Sequence, residues 1–314
     1  MINAVCQAWG LPASSSLTPV DSFNGGVFKL SATDGHAYYL KRRPDQAHMV
    51  REFALLSWLA DHGIAVAPPL LTNARQPSIG IGDDVFALYP ALPGEIAADH
   101  YAPGAEKRAW AYGLGIAHLH EQLAEYPHAP DFCLFDPHAE ITQWIEDSAQ
   151  QHLGRLQADH VLDAARALCQ FLEQHQSALP AHLIHRDIHP ANMLLANGQV
   201  SGYLDFDLAC VGMRLFDPCY CLTSVLVGGF GREENRYRWL PLVTRLLSGY
   251  HSVLPLQENE RQAVFPVLIA IQVLFLAFSC RADLIGAAQY NANVIAWLVE
   301  NRQEVEKAVT LAFE

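Results

Sequence analysis

The stretch His182-Leu183-Ile184-His185-Arg186-Asp187-Ile188-His189-Pro190-Ala191-Asn192-Met193-Leu194-Leu195 decides how the rest of the chain reads. It is followed by Asn197-Gly198 and then by Tyr203-Leu204-Asp205-Phe206-Asp207-Leu208-Ala209. Two apolar runs, Met193 to Leu195 and Val200 to Leu204, flank the Asn-Gly dipeptide, which is a hairpin signal. A loop with Asp187 and Asn192 precedes that hairpin, and Asp205 and Asp207 follow it. Folding the hairpin should therefore bring Asp187, Asn192 and Asp205 to one spot.

Three oxygen-bearing side chains at one point suit a hard cation such as Mg²⁺. Phosphoryl transfer needs metal to clamp phosphates and a base to steer the attacking hydroxyl. The order and spacing of His185-Arg186-Asp187, Asn192 and Asp205-Phe206-Asp207 resemble the catalytic loop and metal arm of the protein-kinase-like superfamily. Within it, His189-Pro190-Ala191-Asn192, Asp-Phe-Asp in place of Asp-Phe-Gly, and Phe216-Asp217-Pro218 resemble the aminoglycoside phosphotransferase and choline kinase branch of small-molecule kinases. The resemblance implies an α+β, bilobal fold. Its N-lobe would be an antiparallel sheet with one helix, and its C-lobe larger and mostly helical.

By that resemblance, Asp187 orients the acceptor hydroxyl, and Asn192 and Asp205 hold Mg²⁺, with Asp207 a weaker metal candidate. His185 and His189 are read as scaffold whose rings fix loop carbonyls. Asp217 is read as a cap for the helix that Pro218 begins. Arg186 departs from the His-Gly-Asp common among small-molecule kinases. However, no long activation segment follows Asp205, so a small-molecule acceptor is favoured over a protein. The rival readings are a bacterial Ser/Thr protein kinase of the same fold and a nucleotide-binding regulator.

The composition agrees with such a protein. The chain has 314 residues, is 51% hydrophobic and 17% charged, and carries a formal net charge of -13. That charge argues against nucleic acid as a partner. The 7 Cys are odd in number and lack a Cys-x-x-Cys pair, which suits reduced thiols in a cytoplasmic protein. No signal peptide is read at the N-terminus. The apolar run Phe265 to Cys280 is shorter than the ~20 residues of a membrane span, so a buried helix is expected. The oligomeric state is left open.

Taken in order, residues 1–90 are expected to form the N-lobe and 91–314 the C-lobe, with the catalytic region at 182–210. A helix over 2–10 precedes strands Ser15 to Phe23, Val27 to Ala32 and Ala37 to Lys41. Turns are expected at Asn24-Gly25-Gly26 and Asp34-Gly35. Gly25 and Gly26 can lie over nucleotide phosphates because backbone N–H groups approach where side chains are absent. Lys41 ends the third strand, where the family's phosphate-binding Lys lies. The next helix, Gln46 to His62, carries Glu52, off the Met49, Phe53, Leu56, Leu59 stripe, and Glu52 is expected to brace Lys41 against the phosphates of ATP or GTP.

Tyr89 to Glu95 reads as the connector between lobes, after a hairpin of Ile79 to Gly82 and Val85 to Tyr89. Pro90 and Pro93 lack an N–H, so the adenine would find its donor at Ala91 or Leu92. The resemblance favours the Pro90 carbonyl with the Leu92 amide. Further helices are expected over 103–125, 139–151, 162–175, 219–226, 232–250, 259–280 and 290–311, with a flexible break at Gly228 to Gly231. Acceptor-pocket candidates are Asp136, Glu140, Trp144, Glu233, Glu234, Tyr237, Trp239 and Asp283. The acceptor classes implied are aminoglycosides, amino alcohols, homoserine and sugars.

Overall fold

A computed structural model describes residues 1–12, 14–20, 25–31, 36–156 and 158–314. The chain divides into two compact units, Met1–Gly94 with Ser201–Asp207, and Glu95–Val200 with Leu208–Glu314. The first is a sheet unit and the second is mainly helical, which makes the protein α+β as expected.

In the first unit, α1 (Ile2–Trp9) precedes β1 (Ser16–Pro19), β2 (Val27–Ser31) and β3 (Ala37–Arg43). After α2 (Gln46–Asp61) come β4 (Ile79–Ile81) and β5 (Asp84–Pro90). The strands form one antiparallel sheet in the order β1-β2-β3-β5-β4. Side chains alternate along β3. Leu40 joins Val5, Leu30, Phe86 and Leu88 in a buried cluster, and Lys41 and Arg43 share the opposite face. The expected turns at Asn24 and Asp34-Gly35, and the far ends of the first two strands, lie outside the described residues.

Asp45 caps α2 by accepting from the His48 amide at 2.7 Å, and Gly63 follows the helix with φ 82. Met49, Glu52, Leu56 and Leu59 share the buried face. Glu52 is therefore inside that stripe, whereas Phe53, expected in it, is only half-buried. Spacings of 3 and 4 put 49, 52, 56 and 59 on one helical face. The segment Ser201–Asp207 joins this unit through a Val66–Tyr203 bridge and a 2.9 Å hydrogen bond from the Tyr203 amide to the Ala65 carbonyl.

The second unit begins with α3 (Ala105–Glu125), α4 (Pro137–Trp144), α5 (Gln150–Leu156) and α6 (His160–His175). Where one helix is expected over 139–151, a π-helical stretch at Ile145–Ala149 separates α4 from α5. The strands β6 (Ala181–Ile184), β7 (Met193–Ala196), β8 (Gln199–Tyr203) and β9 (Cys210–Met213) follow. β6 pairs with β9, and β7 with β8. The β7–β8 turn has Asn197 at φ 53 and Gly198 at φ 78, the two positive values an Asn-Gly hairpin turn needs.

The remaining helices are α7 (Phe216–Gly229), α8 (Glu233–His251), α9 (Glu258–Arg281), α10 (Ile285–Glu300) and α11 (Arg302–Thr310). The single helix expected over 290–311 is thus broken at Asn301. There the Asn301 carboxamide donates to the Trp297 carbonyl at 2.8 Å, a local bond that competes with helix continuation. The expected break at Gly228 to Gly231 is in part helix, because α7 runs to Gly229. A Cβ on Gly229 would lie 2.2 Å from the Tyr101 ring, so this glycine serves close packing. α3 and α8 cross with backbones nearly touching: a Cβ on Gly113 would lie 1.9 Å from the Leu246 carbonyl oxygen. α9 is long and apolar enough to cross a membrane by composition, but 78% of its apolar window is buried inside the protein.

Candidate active site

Within the first unit, the charged residues of β3 meet the end of the 201–207 segment. Lys41 Nζ lies 3.1 Å from Asp205 Oδ1. Arg43 is buried, and its Nη2 pairs with both Glu52 and Asp207. The Tyr89 hydroxyl donates to Glu52 Oε1 at 3.2 Å. The expected Lys41–Glu52 pair is therefore replaced by Lys41–Asp205 and Arg43–Glu52. Residues 41 and 43 share one strand face, and the stiff guanidinium fork of Arg43 binds two carboxylates in the buried position.

These charges shift one another. Burial pushes the Glu52 carboxyl up, to about 7, against the pull of Arg43. Burial and the neighbouring Asp205 charge also raise Asp207, although Arg43 opposes them. Burial resists the charge on Asp205 too, but Lys41 outweighs it and holds this carboxyl below its usual value. Burial works to lower Arg43, and Glu52, Tyr89 and Asp207 overcome it and hold the guanidinium above its usual range. Asp207 is thus engaged as an anchor for Arg43. Asp205 takes φ 63, a positive value rare outside glycine.

Gly25 and Gly26 have φ 63 and 77, as a tight turn requires, and the Gly26 carbonyl accepts from the Arg42 amide at 2.8 Å. Pro90 ends β5 opposite Tyr38. The Ala91 amide donates to the Ala37 carbonyl at 3.1 Å, so of the two candidate connector donors it is the one already spent.

Within the second unit, Asp187 and Asn192 come together. Asn192 Nδ2 donates to the Asp187 carbonyl at 2.9 Å and to its Oδ2 at 3.0 Å. This uses the carboxamide nitrogen and leaves the carboxamide oxygen as a hard donor for a cation. The Tyr220 hydroxyl donates to Asp187 Oδ1 at 2.6 Å. His185 Nδ1 accepts the Asp187 amide, and His189 Nδ1 accepts the Ala191 amide, both at 3.2 Å. In these two bonds the histidine rings brace loop amides.

Asp217 is fully buried inside α7, whose N-cap is Leu215, so it is not the expected cap. Its carboxylate accepts from the His185 amide at 2.9 Å, the Arg186 amide at 2.8 Å and His120 Nε2 at 2.9 Å. Burial opposes its ionisation, but these donors outweigh it and hold the carboxyl below its usual range. The Tyr250 hydroxyl lies 2.9 Å from the other nitrogen of His120. Arg186 sits at φ 66, the backbone conformation that glycine adopts freely, which accounts for glycine in the motif this residue departs from. Its guanidinium lies over Phe135, 4.1 Å from the ring centre, and 3.3 Å from Glu140.

Most acceptor-pocket candidates have other roles. Trp144 and Trp239 are fully buried, and Trp239 Nε1 donates to the Leu222 carbonyl at 2.8 Å. Asp136 caps α4, and Asp283 pairs with Arg155 at 3.3 Å on the surface. Glu233 and Glu234 lie in the first turn of α8, where they complement the helix dipole. Tyr237 is exposed against Trp297. The residues that sequence reasoning missed are Arg43, Tyr220, His120 and Tyr250. Arg43 was signalled by its two-residue spacing from Lys41, and Tyr220 by its three-residue spacing from Asp217. His120 and Tyr250 had no local signal.

The sequence matches the phosphotransferase enzyme family (APH) over residues 16–256. A homoserine kinase of Gluconacetobacter diazotrophicus is 30% identical over 241 residues, which is 73% of this chain and 68% of that one. A homoserine kinase of Gluconobacter oxydans is 33% identical over 258 residues, 79% of this chain and 76% of that one. Among solved structures, an amicoumacin kinase in complex with AMP-PNP, Ca²⁺ and Ami superposes with TM-score 0.71 at 18% identity, covering 98% of this chain and 92% of that one. A microcompartment-associated aminopropanol kinase does so with TM-score 0.70 at 16% identity, covering 98% of each. The motif order, the kinase-like fold and the family match agree: this chain belongs to the phosphotransferase enzyme family and is a kinase that moves a phosphoryl group from a nucleotide to a hydroxyl of a small molecule.

Proposed function

We propose that the acceptor is homoserine or a similarly small amino alcohol, and that ATP is the donor. The observation that carries the reaction chemistry is the Asp187–Asn192 pair on the catalytic loop. The acceptor assignment is supported by the homoserine kinases to which the chain is similar. Asp187 takes or orients the hydroxyl proton. A strong base is unnecessary, because positioning dominates in a loose phosphoryl-transfer transition state. Lys41 grips the nucleotide phosphates, Gly25 and Gly26 cover them with backbone N–H groups, and the Pro90 carbonyl and Leu92 amide hold the adenine. Arg43 takes the bracing of Glu52 that was first expected of Lys41, and through Asp207 it steadies the segment carrying Asp205.

The donor set fits a divalent cation of the Mg²⁺ kind: Asp205 offers a carboxylate and Asn192 a carboxamide oxygen. By the resemblance both are donors to Mg²⁺, which when bound would neutralise charge on the transferring phosphate. The test is Mg²⁺-dependent transfer of the labelled γ-phosphate of ATP or GTP, leaving ADP or GDP, with homoserine, aminopropanol, an aminoglycoside and a generic protein as separate acceptors. We expect phosphohomoserine, lost by roughly 10²- to 10⁴-fold in Asp187→Asn. Label on the protein acceptor alone would overturn the small-amino-alcohol reading.

A further inference from the structure

Asp187 has a hydrogen-bond donor on each carboxylate oxygen: the Tyr220 hydroxyl on Oδ1 at 2.6 Å and Asn192 Nδ2 on Oδ2 at 3.0 Å. Tyr220 comes from α7, three residues after Asp217. Residues three apart share a helix face, so one face of α7 reaches the catalytic loop twice. Asp217 fixes the amides of His185 and Arg186, and Tyr220 reaches past them to the side chain of Asp187.

The phenol has little room to move. Its ring stacks on the buried Phe216 at 5.8 Å between centroids and lies 5.6 Å from Phe275 of α9. The His189 ring is 6.3 Å away. Burial, reinforced by the Asp187 charge, pushes the Tyr220 phenol above its usual range, so it keeps its proton and remains a donor. An ionised carboxylate has about four lone-pair directions, so two donors leave acceptor capacity on both oxygens.

We infer that Tyr220 is a positioning residue for the transfer reaction. It fixes the Asp187 carboxylate so that a free lone pair faces the acceptor hydroxyl. Phosphoryl transfer is sensitive to this, because a misplacement of about 1 Å costs roughly 10²-fold in rate. Asn192, shared with the cation in the proposed reaction, holds Oδ2; the Tyr220 hydroxyl holds Oδ1. This inference rests on the reading of Asp187 as the proton acceptor.

The test is Tyr220→Phe, which keeps the ring stack and deletes one hydroxyl. We expect kcat and kcat/KM for the acceptor to fall together by roughly 10- to 100-fold, as for an interaction felt mainly in the transition state. Nucleotide affinity, measured by equilibrium binding, should change less than about twofold, and cooperative melting should be retained. Tyr220→Leu, which also removes the ring, should lower the melting temperature further without restoring the rate. A kcat for Tyr220→Phe within about twofold of the parent overturns the inference, and so does a rate loss matched by equal loss of nucleotide binding. Asp187→Asn is assayed in parallel. If that variant keeps full activity, the proton-acceptor reading fails. If it is inactive while Tyr220→Phe is unimpaired, only the positioning role fails.

Discussion

In the sheet unit, Lys41, Arg43, Glu52, Asp205 and Asp207 hold one another by ion pairs, with Arg43 buried at the centre. In the helical unit, Asp187 and Asp217 are held by backbone amides, a carboxamide, a phenol and an imidazole. The two arrangements respond differently to damage. In the ion-pair cluster each member is the counterion of another, so removing one leaves buried charge without a partner. In the second arrangement several donors share each carboxylate, so loss of one leaves the rest in place.

The comparison can be broken at its most sensitive point, Arg43. Arg43→Met should destabilise the protein by about 3–5 kcal/mol by stranding Glu52 and Asp207. Adding Glu52→Leu should recover part of that loss, as chemical denaturation of both variants would reveal. If the double variant is no better than the single one, the cluster is not coupled as described.

Asp217→Asn should cost less, about 2–3 kcal/mol, because an amide oxygen at the Oδ2 position still accepts two of the three donors. It should also slow the reaction more than it weakens nucleotide binding, since the displaced amide belongs to the loop that carries Asp187, the proposed proton acceptor. Unchanged kcat in a folded Asp217→Asn protein would separate that network from catalysis.

A third effect depends on pH. Burial, with His120 beside it, lowers His182 from 6.5 to about 4. Between those values the unfolded chain binds a proton that the folded one does not. Stability is therefore intact above about pH 6.5 and falls as pH drops toward 4, by about 2 kcal/mol at pH 5 from this group. His182→Asn should flatten the difference between melting curves at pH 7 and pH 5. An equally steep acid loss in the variant would assign it to other groups.

The smallest expected effect is at Arg186. Arg186→Gly relieves the positive φ while giving up the Phe135 contact and the exposed Glu140 pair. It should fall within about 1 kcal/mol of the parent. Arg186→Ala keeps the strain and loses the same contacts, so it should be the less stable of the two in the same denaturation series.

Much of this was legible along the chain. The hairpin at Asn197-Gly198, the catalytic-loop spacing and the α+β order depend on residues near one another in sequence, where turn geometry and periodicity act directly. Asn192 binding Asp187 is of this kind, five residues away. The Glu52 partner was misread because the Lys and Arg on β3 are equally placed by periodicity. The structure gives the buried position to the residue whose planar fork satisfies two carboxylates.

By itself, then, the sequence determined the family, the sheet-then-helix order and the loop that presents Asp187, because those follow from local spacing and side-chain chemistry. Only the tertiary structure decided that Arg43 takes Glu52, that Asp217 clamps the loop with His120 from 97 residues away, and that Tyr220 reaches Asp187 across 33 residues. Such contacts depend on which helix faces meet after packing, and the burial of the whole core sets that.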